Sequence, residues 1–132
     1  MKIISFGRKE RIGHGCFRFV YAHENPEWCV KVQRKDKANH KTSDQHNYRE
    51  WLIWNEYPEC REWLAPVIAI SEDRMELVMA RGHRCKRKPK NAPKWIADNK
   101  SKNWVAINGR KICCDYGNPG TLKKIRELMD KK

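Results

Sequence analysis

The chain has 132 residues, with 29 Lys and Arg against 16 Asp and Glu, which gives a formal net charge of +13. This length suffices for one core but not for two, so we expect a single domain and exclude an enzyme of two ordinary domains. Six Trp, four Tyr and three Phe supply core material that a disordered basic tail lacks. The composition therefore predicts a folded, strongly basic protein.

Neither a secretory leader nor a membrane span is indicated by the first residues. The longest early apolar run, Ile3-Ile4, is interrupted by Ser5 and closed by Arg8. We therefore expect a cytoplasmic protein that does not interact with membranes.

The six cysteines show no paired spacing of the zinc-ribbon kind, so we interpret them as reduced thiols. A metal site that uses His83 and Cys85 with a distant pair is the alternative. Cys113 and Cys114 do not favour it, because they alternate across a predicted strand and would point apart.

The first half of the chain predicts the order β-β-α-β-β. Apolar runs at 17–21 and 28–32 flank a turn at 23–26 and indicate a hairpin with a Gly-rich entry. A helix is predicted over 44–57, with Ser43 or Asp44 as its N-cap and Pro58 near its end. A second hairpin is predicted from 67–70 and 75–79. The apolar face of the helix is expected to contain Tyr48, Trp51, Leu52 and Asn55.

The second half begins with a basic connector at 81–94, in which seven of fourteen residues are Lys or Arg. Runs at 104–107 and 111–114 flank Asn108-Gly109, whose tolerance of positive φ suits a type I′ hairpin turn. A terminal helix capped by Thr121 follows. Its apolar face is expected to contain Leu122, Ile125, Leu128 and Met129.

Four residues in the first half are candidates for forming a phosphate-binding site, directly or by positioning another residue. Gly13 and Gly15 lie where a strand turns back, and glycines there let backbone amides approach a phosphate. Lys31 is a charged residue in an apolar strand, where it either reaches solvent or meets an anion. Glu50 lies beside the apolar helix face, where it either faces solvent or pairs inward with a strand lysine.

The C-terminal third contains a second group of candidates. Asp98, Lys100 and Asn103 precede a hairpin, and this loop offers a base, an ammonium group and a metal-binding amide. Asp115 follows the hairpin, where a carboxylate leaving the sheet is suited to Mg²⁺.

In this order, the motifs resemble those of the protein kinase superfamily over roughly residues 11–117. Residues 13–20 look like its Gly-rich loop, with Val20 at the matching Val and Arg18 in place of the third Gly. Lys31 corresponds to the lysine that holds the α- and β-phosphates. Glu50 is the best match for the helix glutamate that orients this lysine, with Glu56 as the rival.

The resemblance continues through the second half. Residues 77–82 look like the last strand and hinge that hold adenine, which makes Met79 a candidate cofactor-binding residue. Asp98, Lys100 and Asn103 match the catalytic base, the phosphate-contacting lysine and the metal-binding amide, with Ile96-Ala97 replacing His-Arg. Asp115-Tyr116-Gly117 matches the metal-binding Asp-Phe-Gly.

The resemblance implies an α+β, protein-kinase-like fold with an antiparallel N-lobe sheet and one helix, plus a reduced C-lobe that carries the catalytic loop and a β-hairpin. The expected divisions are an N-lobe at 1–80, a basic hinge or linker at 81–94 and a reduced C-lobe at 95–132. The stretch between Gly82 and Asp98 is too short for the helices that normally begin the C-terminal lobe. Such brevity is similar to that of minimal kinase-like proteins of bacteria and their phages.

The resemblance implies transfer of phosphate from Mg·ATP to a hydroxyl, with a protein as the favoured acceptor and a small hydroxylated molecule as the alternative. The excess positive charge favours an acidic protein target or substrate, with nucleic acid as the alternative partner. Three hypotheses follow: an ATP-dependent kinase, a kinase-like ATP-binding module that regulates a partner, and a basic nucleic-acid-binding protein. The sequence does not decide between a monomer and a homodimer.

Overall fold

The computed structural model describes residues 3–15, 17–34 and 45–131, and over these ranges the fold is mixed α+β. The predicted N-cap residues Ser43 and Asp44, the basic stretch at 35–41 and Cys16 lie outside the described residues. The strands are β1 (Arg8–His14), β2 (Arg18–His23), β3 (Trp28–Gln33), β4 (Val67–Ile70), β5 (Glu76–Ala80), β6 (His83–Arg84), β7 (Trp104–Ile107) and β8 (Arg110–Cys113). The α-helices are α1 (His46–Glu56) and α2 (Pro119–Asp130), and 3₁₀ turns span Pro58–Trp63 and Ser101–Asn103.

A five-stranded antiparallel sheet has the order β1-β2-β3-β5-β4. Both hairpins predicted for the first half, β2-β3 and β4-β5, are confirmed. Strand β1 was not predicted as a separate element, because all but one of its seven residues are exposed and no apolar alternation marks it. In the register of β2 and β3, Val20 lies opposite Lys31, so their side chains share one face of the sheet.

A three-stranded sheet has the order β6-β7-β8. The predicted turn between β7 and β8 is confirmed, with φ of 52° at Asn108 and 77° at Gly109. The two-residue strand β6 was not predicted, because it lies inside the basic connector. Residues 85–100 contain no helix or strand.

Helix α1 matches the predicted helix to within two residues, but its N-cap is Gln45, without a side-chain cap. Of the predicted apolar face, Leu52 is buried, and Tyr48 and Trp51 pack against the core, but the buried face also contains polar residues. Asn47, Glu50 and Ile53 are completely buried, whereas Asn55 is exposed. The helix therefore directs polar side chains into the interior, where they need partners.

Helix α2 is capped by Asn118, whose side chain accepts a hydrogen bond from the amide of Gly120 at 2.7 Å. Thr121, the predicted cap, is instead buried and accepts a hydrogen bond from the Ala97 amide at 3.0 Å. Ile125 is buried as expected, but Leu128 is 41% exposed, so the predicted apolar face is only partly covered.

A single hydrophobic core connects the two sheets. The amide of Ala65 donates to the carbonyl of Cys113 at 2.9 Å, and the Tyr116 hydroxyl donates to the carbonyl of Ala65 at 2.8 Å. Tyr116 and Trp104 are completely buried in this core. The two sheets are therefore held against each other at the point where β8 ends.

Among the described residues, no helix has both the length and the apolarity needed to cross a membrane. Among the described cysteines, the thiols of Cys29, Cys85, Cys113 and Cys114 are free.

Gly82, directly before β6, approaches β7 so closely that it has no room for a side chain. A Cβ there would meet the carbonyl oxygen of Ala106 and side-chain carbons of Val105 and Ile107, each at 2.8 Å. We expect Gly82→Ala to lower the free energy of unfolding by about 1–3 kcal/mol, because the β6-β7 pair must separate to admit the methyl group. Chemical denaturation measures this change.

Gly15→Ala is the matched control, since a Cβ at Gly15 has no heavy atom within 4 Å. Equal stability of the two variants would contradict the close approach at Gly82.

Candidate functional site

A cleft of about 770 Å³ lies between the two sheets. Its walls come from the β1-β2 turn, β3, the connector at 80–84 and the residues that flank the β7-β8 hairpin. Six of the candidate residues line it: Gly13, Gly15, Val20, Lys31, Asn103 and Asp115. The fold thus brings together residues from both ends of the chain.

Glu50 lies behind this cleft and is completely buried. Its Oε1 accepts hydrogen bonds from Arg18 Nη1 at 2.7 Å and Lys31 Nζ at 3.1 Å. Its Oε2 accepts from Arg18 Nη2 at 2.9 Å and from the amides of Tyr116 and Gly117 at 2.9 and 3.1 Å. We call Arg18, Lys31, Glu50 and Asp115 the Glu50 cluster.

Lys31 projects from the middle of β3 and is only 4% exposed. Besides its ion pair with Glu50, its ammonium group donates to the carbonyl oxygen of Cys114. Of the two sequence alternatives, the structure contains the inward pair. Glu56, the rival of Glu50, is exposed at the end of α1 and has no ion pair among the described residues.

Arg18 is the residue that sequence reasoning did not assign to the site. It begins β2, faces the cleft on the same side as Val20 and is 5% exposed. In addition to the paired bonds with Glu50, Nη1 donates to Asn47 Oδ1 at 3.2 Å and Nη2 to Asp115 Oδ1 at 2.9 Å. Its only sequence signal is that a long cation replaces the third glycine of the loop motif.

Charge balance stabilises the ionised form of the Glu50 cluster. Burial alone would raise the pKa of Glu50, but the charges and hydrogen bonds of Arg18 and Lys31 outweigh it and hold this pKa well below its usual range. Burial alone would lower the pKa of Arg18, yet Glu50 and Asp115 raise it above its ordinary value. Two cations therefore face two carboxylates, and the cluster has no net charge.

The β1-β2 turn is held against α1. The amide of Gly15 donates to the carbonyl of Arg18 at 2.8 Å, so this amide closes the turn. The Phe17 ring stacks on His46, with 4.7 Å between ring centroids. Gly13 and Gly15 both line the cleft, and a Cβ at Gly15 would enter open space.

The predicted catalytic loop is only partly on the cleft. Asn103 lines it, is 3% exposed and donates from Nδ2 to the carbonyl oxygen of Asp98 at 3.0 Å. Asp98 is half-buried and Lys100 is exposed, and neither is among the residues that line the cleft. The loop thus joins the site through Asn103.

Asp115 follows β8 and is within reach of solvent, with 48% of its side chain exposed. Arg18 binds its Oδ1. Asp115 and Asn103 lie on the same cleft and supply the carboxylate and amide oxygens that Mg²⁺ prefers.

Met79 is placed in the core. Met79 lies opposite Cys29 in the β3-β5 pair, so the two side chains share one face of the sheet. The Met79 side chain is completely buried in the hydrophobic core and does not line the cleft. Ala80, the next residue, lines the cleft instead. Cys114 also lines it, and burial raises the pKa of this thiol to about 11, which keeps it protonated at neutral pH.

The outer wall of the cleft is basic. Arg81, Arg84 and Lys102 line it and are exposed, and none of them takes part in an ion pair among the described residues. The carboxylates on the cleft are Glu27 and Asp115. Such a surface favours an anionic ligand.

Within the described ranges, no cluster of three or more His, Cys, Asp or Glu side chains has the arrangement of a metal site. A comparison of the chain with protein-family models gives no matching family, and a comparison with curated proteins gives no matching relative.

We expect the free energy of unfolding to fall in acid. The pKa of Glu50 is lower in the folded protein than in the unfolded chain, so the unfolded chain takes up the proton first as the pH falls. The stabilisation by Glu50 is therefore present above the ordinary carboxyl range and is lost progressively below about pH 5. Urea denaturation from pH 7 to pH 3 measures this loss.

Glu50→Gln should reduce the acid-dependent loss and lower stability at pH 7 by about 3–5 kcal/mol, because Arg18 and Lys31 lose their buried partner. Glu56→Gln, an exposed carboxyl on the same helix, is the matched control. If both variants keep the same pH profile as the parent, the Glu50 cluster does not carry the effect.

Proposed function

We propose that this chain is a minimal, kinase-like phosphotransferase that uses Mg·ATP and acts on a hydroxyl group of an acidic protein. The observation that carries the proposal is the buried Lys31-Glu50 pair, whose lysine lines the same cleft as Asp115, Asn103, Gly13 and Gly15. The kinase-like order of motifs supports the same conclusion.

The residues at the cleft fit Mg·ATP in charge and in donor chemistry. Lys31 is a buried cation whose position is fixed by Glu50, as a ligand for the phosphates needs to be. Asp115 and Asn103 would hold Mg²⁺, since Nδ2 of Asn103 donates to Asp98 and its Oδ1 has no partner among the described residues. When bound, Mg²⁺ neutralises charge on the phosphate oxygens.

In this proposal, the chain mainly positions groups and balances charge. Glu50 fixes Lys31, which would bind the α- and β-phosphates. Val20 and Ala80 line the cleft and would border the nucleotide. Asp98 would accept the proton of the acceptor hydroxyl, and Lys100 would contact the γ-phosphate. Asp98 is tied to the cleft through the hydrogen bond between its carbonyl and Asn103.

We assign an acidic acceptor because the cleft contains exposed cations that form no ion pair among the described residues. Arg81, Arg84 and Lys102 are exposed and lack ion pairs among the described residues, so they are available to carboxylates of a protein substrate.

A second candidate is an ATP-binding module that regulates a partner without transferring phosphate. It is favoured by one observation, namely that Asp98 and Lys100 do not line the cleft in this structure. Binding and transfer must therefore be measured separately.

The nucleotide site is tested by thermal unfolding with and without Mg·ATP. Ligand at about a hundredfold over its Kd adds roughly 2.7 kcal/mol, so we expect Tm to rise by several degrees. Asp115→Asn should abolish the Mg-dependent part of the rise. Asp130→Asn, an equal charge change at the end of α2, should retain it. No rise at millimolar Mg·ATP would exclude both candidates.

Transfer is tested with γ-labelled ATP and a set of acidic peptides that contain Ser, Thr or Tyr. We expect Asp98→Asn to abolish labelling while retaining the Mg·ATP-induced rise in Tm, because Asp98 acts on the acceptor and does not hold the nucleotide. Asn99→Ala, an exposed neighbour in the same loop, is the control and should label normally. Binding without labelling by the unaltered chain would favour the regulatory module, and equal labelling by Asp98→Asn would remove the role assigned to Asp98.

A further inference from the structure

The proposed metal ligand Asp115 already forms an ion pair with a cation of the chain itself, Arg18. Nη2 of Arg18 lies 2.9 Å from Asp115 Oδ1, at the carboxylate assigned above to the divalent ion. This contact joins residues 97 positions apart. It exists because Arg18 stands where the loop motif has a glycine, which has no side chain to reach the carboxylate.

Arg18 is fixed in this position. Its guanidinium forms two parallel hydrogen bonds with Glu50, at 2.7 and 2.9 Å, and a further one with Asn47 at 3.2 Å. Only 5% of the residue is exposed. A paired guanidinium held by a buried carboxylate has a defined orientation, in contrast to a surface arginine that is free to turn into solvent.

A divalent ion at Asp115 would meet this fixed charge. Arg18 already uses one oxygen of the carboxylate, and two cations that share a carboxylate repel each other across a few ångströms. Asp115 keeps 48% of its side chain exposed, so the ion has access to the carboxylate from solvent. The two cations therefore compete for Asp115, although a metal can still reach it.

We propose that Arg18 is an intrinsic counter-ion of Asp115 that competes with the divalent metal and sets its affinity for the cleft. This inference deepens the proposed function, on which it rests for the identity of Asp115 as a cation ligand. Arg18 acts through Asp115 and is a positioning residue. Because Glu50 holds Arg18 in place, the Arg18-Glu50 pair determines how strongly a divalent metal must compete with Arg18 for Asp115.

The test measures Mn²⁺ binding to the full chain without nucleotide, from the electron paramagnetic resonance signal of free Mn²⁺. We expect Arg18→Met to bind Mn²⁺ at least about tenfold more tightly than the unaltered chain, because Asp115 loses its competing cation. Asp115→Asn introduced into Arg18→Met should remove the gain. Arg84→Met is the matched control, since it deletes another cleft arginine that has no ion pair among the described residues.

Arg18→Lys covers the case in which Arg18→Met does not fold. Lysine keeps the charge that Glu50 needs, but its single ammonium group lacks the fork that reaches both carboxylates. We expect Arg18→Lys to bind Mn²⁺ more tightly than the unaltered chain, though less tightly than Arg18→Met.

Unchanged Mn²⁺ affinity in the folded Arg18 variants would overturn the inference, as would an equal gain in Arg84→Met. The Tm rise with Mg·ATP in the unaltered chain tests the proposed function separately, so a failure of the inference can be told from a failure of the proposed function. A gain in Mn²⁺ affinity without an ATP-induced rise in Tm would support competition at Asp115 and would exclude ATP as a ligand of the cleft.

Discussion

A carboxylate that is removed from water is stable in a protein only when charges and hydrogen-bond donors replace its hydration. Glu50 meets this condition with two cations and two backbone amides, which come from β2, β3 and the segment after β8. Displacing any of these groups removes a partner from a buried charge. Glu50 therefore fixes α1 against both sheets, together with the hydrogen bonds from Asn47 to the carbonyl of Lys31 and from Arg49 to the carbonyl of Gly117.

The same constraint separates the rigid from the adaptable parts of the site. Lys31 and Arg18 are buried and each bind at least two partners, whereas Asp98 and Lys100 lie on a loop that is joined to the cleft by the hydrogen bond from the Asn103 side chain to the carbonyl of Asp98. A kinase-like chemistry on this scaffold would have a preorganised phosphate side and an acceptor side that is completed by the substrate. The exposed cations Arg81, Arg84 and Lys102 line the same cleft.

The elements with strong local signals were predictable from the sequence. The sequence Asn108-Gly109 favours a type I′ turn by itself. The apolar runs of β2-β3 and β4-β5 indicate hairpins from local sequence alone. Strand β1 was missed because its side chains are exposed. On α1, the inward pair of Glu50 was one of two alternatives, whereas the burial of Asn47 was not predicted, because its partners Arg18 and Arg74 are distant in sequence. Arg18 was noted only as a departure from a motif. Its role depends on Asp115, 97 residues later, and no local pattern records that contact.

That long separation also has a consequence for how the chain folds. The first sheet and α1 lie within the first 80 residues, yet the amides that complete the coordination of Glu50 come from Tyr116 and Gly117. An intermediate containing only the earlier elements would leave Arg18 without Asp115 and Glu50 without its two backbone donors. Contacts of such high sequence separation slow folding, since the loop must close before it is stabilised. The two sheets should therefore form in one cooperative transition, with no stable state of the first sheet alone.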